Sequence, residues 1–277
     1  MNKPLTLALV QMKVEKNKEE NLIKALAFIE QAAAGGAELV VLPEMFLCPY
    51  HHEAFRKFAE PLEGSMALLK ISELAKQYGI YVFAGSIPEL EDRHIYNTCP
   101  ILDPNGNLIA KHRKLHLFDI DVPGEMVFKE SDTLTAGNQF TMINTPYGKI
   151  GAGICFDIRF PEMHRIMALE GVFLLVVPAA FNMVTGPAHW DVLFRARAID
   201  NQIYVAAASP ARDPSAGYVA YGHSMVINPW GEIIADAGEN EKILYARFKP
   251  EEYSRFKTRL PLLQGRRTDI YRLGRLD

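Results

Sequence analysis

The same order of predicted elements occurs twice along this chain, and that repeat limits its possible folds more than any other feature. Each half runs from a buried strand through a helix to a strand that ends in a polar residue, then through a second helix to another buried strand and a hairpin. Helix-connected apolar strands are typical of parallel pairing, whereas a hairpin joins antiparallel neighbours. The sequence therefore predicts an α/β fold in which each half forms a mixed sheet.

In the first half, a carboxylate lies where the second predicted strand ends. Residues 6–11 and 38–42 are apolar runs, and apolar side chains recur at helical spacing between them. Pro43 and Glu44 interrupt the second run. The ends of buried parallel strands are where α/β sheets commonly place their chemistry, so Glu44 is a candidate functional residue.

In the second half, a cysteine lies at the corresponding point. Residues 148–154 form a short apolar run that ends at Cys155, and Pro161 suits the first turn of a following helix. The N-terminus of such a helix favours a thiolate, which would make Cys155 a nucleophile. A buried structural cysteine is the alternative, because cysteine is among the most buried residue types.

No linker or low-complexity segment separates the halves, so we expect a single domain over residues 1–277. The sequence predicts two mixed sheets stacked face to face with helices outside. The arginine-rich tail, residues 249–277, is expected to form a helix followed by an arm that packs on a partner subunit.

Composition excludes several classes of partner. A net charge of −3 without long blocks of either sign argues against nucleic acid and anionic membranes. The N-terminal apolar run is too short for a signal peptide, and no stretch is long enough to cross a bilayer, so we expect a cytoplasmic protein. Three cysteines, an odd number, make a disulfide framework unexpected.

A cysteine nucleophile needs a base and a group that stabilises the oxyanion. If the sheets pack face to face, Glu44 and Cys155 lie across one cleft, where burial would raise the pKa of Glu44 and suit it to exchange the thiol proton. Lys114 and the backbone N–H of Phe156 are candidates for the oxyanion, and Glu130 for holding the lysine or positioning substrate and water. Taken singly, Glu44 or Lys114 is also explained as an ordinary loop or surface charge.

Cofactor and metal sites fit the residues less well. Gly151 and Gly153 resemble the start of a dinucleotide fingerprint, but Phe156 stands where its third glycine belongs. His112 and His116 are four residues apart without an HExxH pattern. We therefore expect no metal and no cofactor.

Three segments resemble the signature blocks of the nitrilase (carbon–nitrogen hydrolase) superfamily, in the right order. They are residues 42–44 (Leu-Pro-Glu), 113–116 (Arg-Lys-Leu-His) and 153–162 (Gly-Ile-Cys-Phe-Asp-Ile-Arg-Phe-Pro-Glu). The resemblance implies a four-layer α-β-β-α sandwich that assembles as a homodimer or higher homo-oligomer. It also implies the roles of the catalytic residues, namely Glu44 as base and acid, Lys114 as oxyanion stabiliser, Cys155 as nucleophile forming a thioester, and Glu130 as supporting carboxylate.

Within that superfamily the chain is most similar to the ω-amidases, through residues 114–124 and 181–190. That similarity implies hydrolysis of the terminal amide of short α-keto dicarboxylate monoamides, 2-oxoglutaramate and 2-oxosuccinamate. Candidates for the pocket wall, each also explicable as a packing or loop-capping residue, are Tyr50, His116, Phe118 and Thr185. We expect Arg159 to order its turn with Asp157 or Glu162 rather than to bind substrate.

Two alternatives remain at this point. An amidase acting on deaminated glutathione, or another small aliphatic amidase, shares residues 185–190 and 195–199, although residues 118–124 favour an ω-amidase. A non-catalytic binding protein on the same fold would be expected to lack Glu44, Lys114 or Cys155, and all three are present.

Overall fold

The computed structural model describes residues 1–124 and 126–275. Its strands are, in chain order, β1 (Leu5–Gln11), β2 (Leu39–Val41), β3 (Tyr81–Phe83), β4 (Ile87–Glu91), β5 (His94–Leu102), β6 (Leu108–Arg113), β7 (Asp119–Val122), β8 (Met126–Lys129), β9 (Thr141–Thr145), β10 (Gly148–Ala152), β11 (Val172–Pro178), β12 (Tyr204–Ala208), β13 (Met225–Ile227), β14 (Ile233–Asp236) and β15 (Lys242–Phe248). Its α-helices are α1 (Lys18–Ala34), α2 (His52–Phe58), α3 (Met66–Tyr78), α4 (Pro161–Leu169), α5 (Gly186–Asn201) and α6 (Pro250–Arg259).

Two mixed sheets carry the fold, as the repeat predicts. The first has the order β15-β1-β2-β3-β5-β4 with β6 beside β5, and the second has the order β14-β13-β12-β11-β10-β9. In each sheet three central strands are parallel, β1-β2-β3 and β10-β11-β12, and the flanking strands are antiparallel. Each half of the chain thus forms one sheet, except that β15 returns to pair with β1.

The sheets face each other across the main hydrophobic core. Leu7 and Leu9 of β1 belong to the same buried cluster as Phe173 and Leu175 of β11. Ala8 and Val10 of β1 point the other way, because successive side chains of a strand alternate between faces. They pack in a second cluster with side chains of α1 and α3.

The helices on the outer face of the second sheet complete the sandwich. Met163 and Met167 of α4, with Trp190 and Phe194 of α5, join the cluster that covers β11. The layer order is therefore helix, sheet, sheet, helix, and the predicted four-layer α-β-β-α fold is confirmed.

Some short strands of the structure are not evident from the sequence. The hairpin of β7 and β8 and the 3₁₀ turn that follows it, Glu130–Asp132, have no clear signal in the sequence. Strands β4 and β9 were not predicted, since β4 contains Pro88 and two glutamates and β9 is mostly polar. Both lie at sheet edges, where proline and polar residues are tolerated.

The C-terminal tail begins with α6, as expected, and continues without regular helix or strand to residue 275. The three cysteines are free and buried. Across residues 1–124 and 126–275, no helix is long and apolar enough to cross a membrane.

Gly85 packs closely against the backbone at the end of β2. Its φ is +53°, and a Cβ placed there would lie 2.1 Å from the carbonyl oxygen of Pro43, the residue before Glu44. A side chain at this position would therefore force both a left-handed backbone and a displacement of the Pro43 peptide.

We predict that Gly85→Ala lowers the free energy of unfolding by about 3 kcal/mol or more, measured by urea denaturation. Gly79→Ala is the matched control, because Gly79 has a φ of +64° with no atom within 4 Å of an added Cβ. That control should lower the free energy of unfolding by about 1–2 kcal/mol, the effect of the left-handed backbone alone. Equal losses in the two variants would contradict the steric argument.

Candidate active site

Four charged or nucleophilic side chains converge from four strand ends. Glu44 follows β2, Lys114 follows β6, Cys155 follows β10, and Glu130 follows β8. The first two belong to one sheet and Cys155 to the other, so the cluster lies between the two sheets. The structure thus brings together the four residues that the sequence singled out for chemistry.

Glu44 is held by three hydrogen-bond donors from different parts of the chain. Its Oε1 accepts from the Lys114 ammonium at 3.0 Å and from the side-chain amide of Asn97, on β5, at 2.8 Å. Its Oε2 accepts the backbone N–H of Ala180, just after β11, at 2.8 Å. Donors from both sheets therefore fix a carboxylate that is only 1% exposed.

Lys114 lies between two carboxylates. Its Nζ is 3.0 Å from Oε1 and 2.9 Å from Oε2 of Glu130, in addition to its bond with Glu44. Glu130 also accepts the backbone N–H of Phe118 at 2.6 Å. Since all three charged side chains are fully buried, Glu130 fixes the lysine with its ammonium directed at Glu44.

Tyr50 is a member of this buried network. Its hydroxyl donates to Glu130 at 2.5 Å and lies 3.3 Å from both Glu44 Oε1 and Lys114 Nζ. Its ring stacks on Tyr218 with the ring centroids 4.6 Å apart. Tyr50, predicted as pocket wall, thus combines a polar contact with the charged groups and an aromatic surface.

Cys155 begins a 3₁₀ turn, Cys155–Arg159, in an unusual backbone conformation. Its φ is +45°, a left-handed value that costs a residue with a side chain about 1–2 kcal/mol. The thiol is buried, and Glu44, Lys114 and the backbone of Ala180 all act on its pKa. Phe156, the second residue of this turn, has its N–H among those at a helix start that lack an intrahelical acceptor.

Burial dominates the proton affinities of the site. It raises the pKa of the Cys155 thiol, and the negative charge of Glu44 raises it further, against the opposing effect of Lys114. Burial also raises the pKa of Glu44, where Lys114 opposes and Glu130 reinforces the shift. Burial alone would lower the pKa of Lys114, but Glu130 and Glu44 outweigh it and the pKa is raised. The resting site therefore favours a protonated thiol beside a basic carboxylate and a permanent ammonium.

A cavity of about 1300 Å³ opens from this cluster to the surface. Glu44, Tyr50, Ala180 and Tyr218 are among its lining residues, with Lys16 and Lys57 farther out. Of the four residues predicted for the pocket wall, Tyr50 alone lines this cavity within residues 1–124 and 126–275.

The other three predicted wall residues have contacts of their own. The His116 imidazole donates to Asp157 at 2.8 Å and stacks on Phe160 with ring centroids 3.7 Å apart. The Phe118 ring is buried beside Phe156. Thr185 donates its hydroxyl to Asn182 within the loop that precedes α5.

The expectation that Arg159 orders the turn with Asp157 or Glu162 is wrong. Its guanidinium lies over the rings of Phe156, at 5.4 Å, and Phe181, at 5.0 Å, and its Nη1 is 3.2 Å from His189. Its Nε is buried without a hydrogen-bond partner in the part of the chain that the structure describes. Burial lowers the pKa of Arg159, and negative charge on Cys155 opposes that shift.

Three residues of the site were not predicted from the sequence, namely Asn97, Ala180 and Tyr218. The sequence does contain a hint of Asn97, because it is a polar residue within the buried part of a strand, β5. Ala180 contributes only backbone to Glu44, and Tyr218 reaches the site from a loop, donating its hydroxyl to the carbonyl of Ala180. Neither leaves a pattern in the sequence.

The architecture and this cluster place the chain in a known family. Residues 6–258 match the family model of carbon–nitrogen hydrolases, and the chain belongs to that family. It is therefore a hydrolase of carbon–nitrogen bonds other than peptide bonds. It is 50% identical, over 265 residues and 96% of each chain, to a Bos taurus protein named omega-amidase NIT2.

Solved structures agree with this assignment. Saccharomyces cerevisiae Nit3, described as a member of branch 10 of the nitrilase superfamily, is 45% identical and has a TM-score of 0.88, covering 96% of this chain and 97% of that one. The C. elegans NitFhit protein is 33% identical with a TM-score of 0.89, covering 98% of this chain and 67% of that one.

We predict that Lys114→Met lowers the free energy of unfolding by about 3–5 kcal/mol at pH 8, because it leaves two adjacent carboxylates buried without their cation. A carboxyl whose pKa is raised on folding stabilises the fold below its unfolded pKa and loses that contribution as pH rises through its folded pKa. The deficit should therefore shrink toward pH 5.

Urea denaturation at both pH values measures this effect. Lys149→Met, which removes a partly exposed lysine bound to the carbonyl of Glu170, is the control and should cost less than about 1 kcal/mol. A Lys114 deficit that does not depend on pH would refute the charge argument.

Proposed function

We propose that this protein is an ω-amidase. It hydrolyses the terminal amide of short α-keto dicarboxylate monoamides, such as 2-oxoglutaramate and 2-oxosuccinamate, to the acid and ammonia. The observation that carries the proposal is the buried Glu44–Lys114 pair, joined at 3.0 Å, in a cluster where the charge of Glu44 acts on the buried Cys155 thiol. It occurs in a chain that is 50% identical to a protein named omega-amidase.

The first half-reaction forms a thioester. Glu44 takes the thiol proton as the Cys155 sulfur attacks the amide carbon, and the oxygen becomes an oxyanion. Lys114 and the N–H of Phe156 stabilise that charge in a buried site, where fixed donors are more effective than in bulk water. Glu44 then gives its proton to the departing nitrogen, the carbon–nitrogen bond breaks, and ammonia leaves.

The second half-reaction returns the enzyme to its resting state. Glu44 removes a proton from water, the resulting hydroxide attacks the thioester carbon, and Lys114 again faces the oxyanion. Collapse of this intermediate breaks the carbon–sulfur bond, and Cys155 regains its proton from Glu44. Glu130 supports both steps by holding Lys114 in place, and no cofactor takes part.

Arg159 is the candidate for the distal carboxylate of the substrate. Its guanidinium lies against Phe181 and against Phe156, the residue after Cys155, and its Nε has no hydrogen-bond partner among the described residues. A guanidinium matches the planar geometry of a carboxylate and forms strong charge-assisted hydrogen bonds with it. Tyr50 with Tyr218, and Phe118 and Thr185, remain the proposed wall residues.

Deaminated glutathione is the second candidate substrate, and the size of the cavity favours it. About 1300 Å³ is more than a five-carbon monoamide fills, and typical ligand pockets measure about 300–1,000 Å³. The same Glu44, Lys114 and Cys155 chemistry would serve either amide.

We also propose that the protein is a cytoplasmic homo-oligomer. A homodimer or higher homo-oligomer would cover apolar side chains exposed on the second sheet and α5, among them Val192, which is 65% exposed, Ile199, Ile233 and Ile234. Three free cysteines, one of them the nucleophile, suit the reducing cytoplasm.

We predict that Cys155→Ala abolishes ammonia release from 2-oxoglutaramate and from deaminated glutathione while the thermal unfolding transition is retained. Both substrates are assayed side by side with a chelator present. Cys99→Ala, at a buried free thiol in the core, should remain active. Activity in Cys155→Ala would refute the thioester mechanism, and a preference for deaminated glutathione would replace the proposed substrate but keep the chemistry.

We predict that Arg159→Met raises KM for 2-oxoglutaramate about 10- to 100-fold, since a hydrogen bond to a charged group contributes about 1.5–3 kcal/mol. The same variant should change the kinetics of propionamide, an uncharged amide, far less. Arg165→Met, which removes a second half-buried arginine six residues farther along the chain, on α4, controls for the loss of charge. Equal losses on both substrates would mean that Arg159 does not bind the carboxylate.

A further inference from the structure

One buried carboxylate, that of Asp157, receives hydrogen bonds from both catalytic segments. Its Oδ2 accepts the backbone N–H of Ile154, the residue before Cys155, at 2.9 Å. Its Oδ1 accepts the backbone N–H groups of Leu115 and His116, the two residues after Lys114, at 3.2 and 2.9 Å. The two oxygens therefore join the nucleophile turn of one sheet to the lysine segment of the other.

Two imidazoles also donate hydrogen bonds to this carboxylate. His112 Nε2 donates to Oδ2 at 3.0 Å, and His116 Nδ1 donates to Oδ1 at 2.8 Å. Burial alone would raise the pKa of Asp157, but the hydrogen bonds from His112 and His116 outweigh it and hold that pKa well below its usual range. Asp157 is thus a fully buried, ionised acceptor with five donors.

The position of this carboxylate matters because its neighbours in the chain are strained or charged. Cys155 holds a φ of +45°, which persists only where surrounding contacts enforce it. The Ile154 bond fixes the peptide between Gly153 and Ile154, one peptide before Cys155, and the Leu115 bond fixes the peptide that leaves Lys114. Loss of either bond would let the sulfur and the ammonium move relative to each other.

We propose that Asp157 is a positioning residue for the reaction and that His116 acts through it. Asp157 holds Cys155 and Lys114 in register, so that the oxyanion formed when the sulfur attacks lies against the ammonium. This inference rests on the proposed function, because it needs Cys155 as nucleophile and Lys114 as oxyanion stabiliser. It assigns the His116 imidazole to Asp157 rather than to the pocket wall.

Asparagine cannot replace this aspartate, although it has the same shape. With its amide oxygen at the Oδ1 position, its NH₂ group faces the Ile154 N–H, a second donor, and the nucleophile turn loses its acceptor. In the flipped orientation, the NH₂ group faces the N–H groups of Leu115 and His116, and the lysine segment loses its acceptor. His112 can adapt by changing tautomer, but a backbone N–H cannot.

The first experiment measures kcat, KM and Cys155 alkylation in Asp157→Asn. We expect kcat for 2-oxoglutaramate to fall about 100-fold, the effect of misplacing a reacting group by about 1 Å, with little change in KM. Alkylation of Cys155 by iodoacetamide, followed by mass spectrometry, should slow about ten-fold or more, because the thiol loses its alignment with Glu44. Glu162→Gln, at an exposed carboxylate on α4, is the control and should match the wild-type protein.

A second variant covers the case in which Asp157→Asn does not fold. His116→Ala removes the imidazole bond but keeps both backbone N–H bonds, and it should lower kcat about ten-fold at unchanged KM. A raised KM at unchanged kcat would instead assign His116 to the substrate and overturn its part of the inference. Wild-type kcat and alkylation rate in a folded Asp157→Asn protein would overturn the role of Asp157.

The two readouts separate this inference from the proposed function. If the wild-type protein releases no ammonia from 2-oxoglutaramate, the proposed function fails. The alkylation rate still reports whether Asp157 positions Cys155, since that measurement needs no substrate. Slow alkylation in Asp157→Asn would then support the positioning role for another amide.

Discussion

The ammonium of Lys114, buried between Glu44 and Glu130, is the interaction on which the rest of the site depends. Removing these three charges from water is costly, and their attraction offsets the cost only with close geometry and full hydrogen bonding. The structure provides both, since Nζ lies at 2.9–3.0 Å from oxygens of both carboxylates. Asn97, Tyr50 and backbone N–H groups satisfy the remaining acceptors.

The four-layer fold makes this burial possible. Strands β2, β6 and β10 carry their polar residues to one end of the sandwich, where the two sheets close over them. A single sheet has a face or an edge open to water, whereas the space between two packed sheets does not. The same packing supplies Ala180 from the second sheet as a donor to Glu44 from the first.

The sequence predicts the sheets and the strand-end residues well, because both follow from local patterns of apolar runs and the residues that end them. What it misses depends on contacts between distant segments. The pairing of β15 with β1 joins the two ends of the chain, and no local signal specifies it. Ala180 acts through its backbone, and Arg159 was assigned to the wrong partner because its neighbours in sequence are acidic while its neighbours in space are aromatic.

The roles of Glu44, Lys114, Glu130 and Cys155 remain predictions, yet the geometry constrains how such a site can work. A cysteine beside a helix start was expected to favour thiolate, but burial and the charge of Glu44 raise the pKa of Cys155. The 3₁₀ turn is too short to counter them, since a helix dipole depends on several aligned peptides.

A site with a protonated thiol cannot rely on a preformed nucleophile. Proton transfer to Glu44 must accompany the attack, and the adjacent ammonium makes that transfer favourable only as negative charge develops on the substrate oxygen. The burial that disfavours the free thiolate thus also couples proton transfer to the formation of the oxyanion.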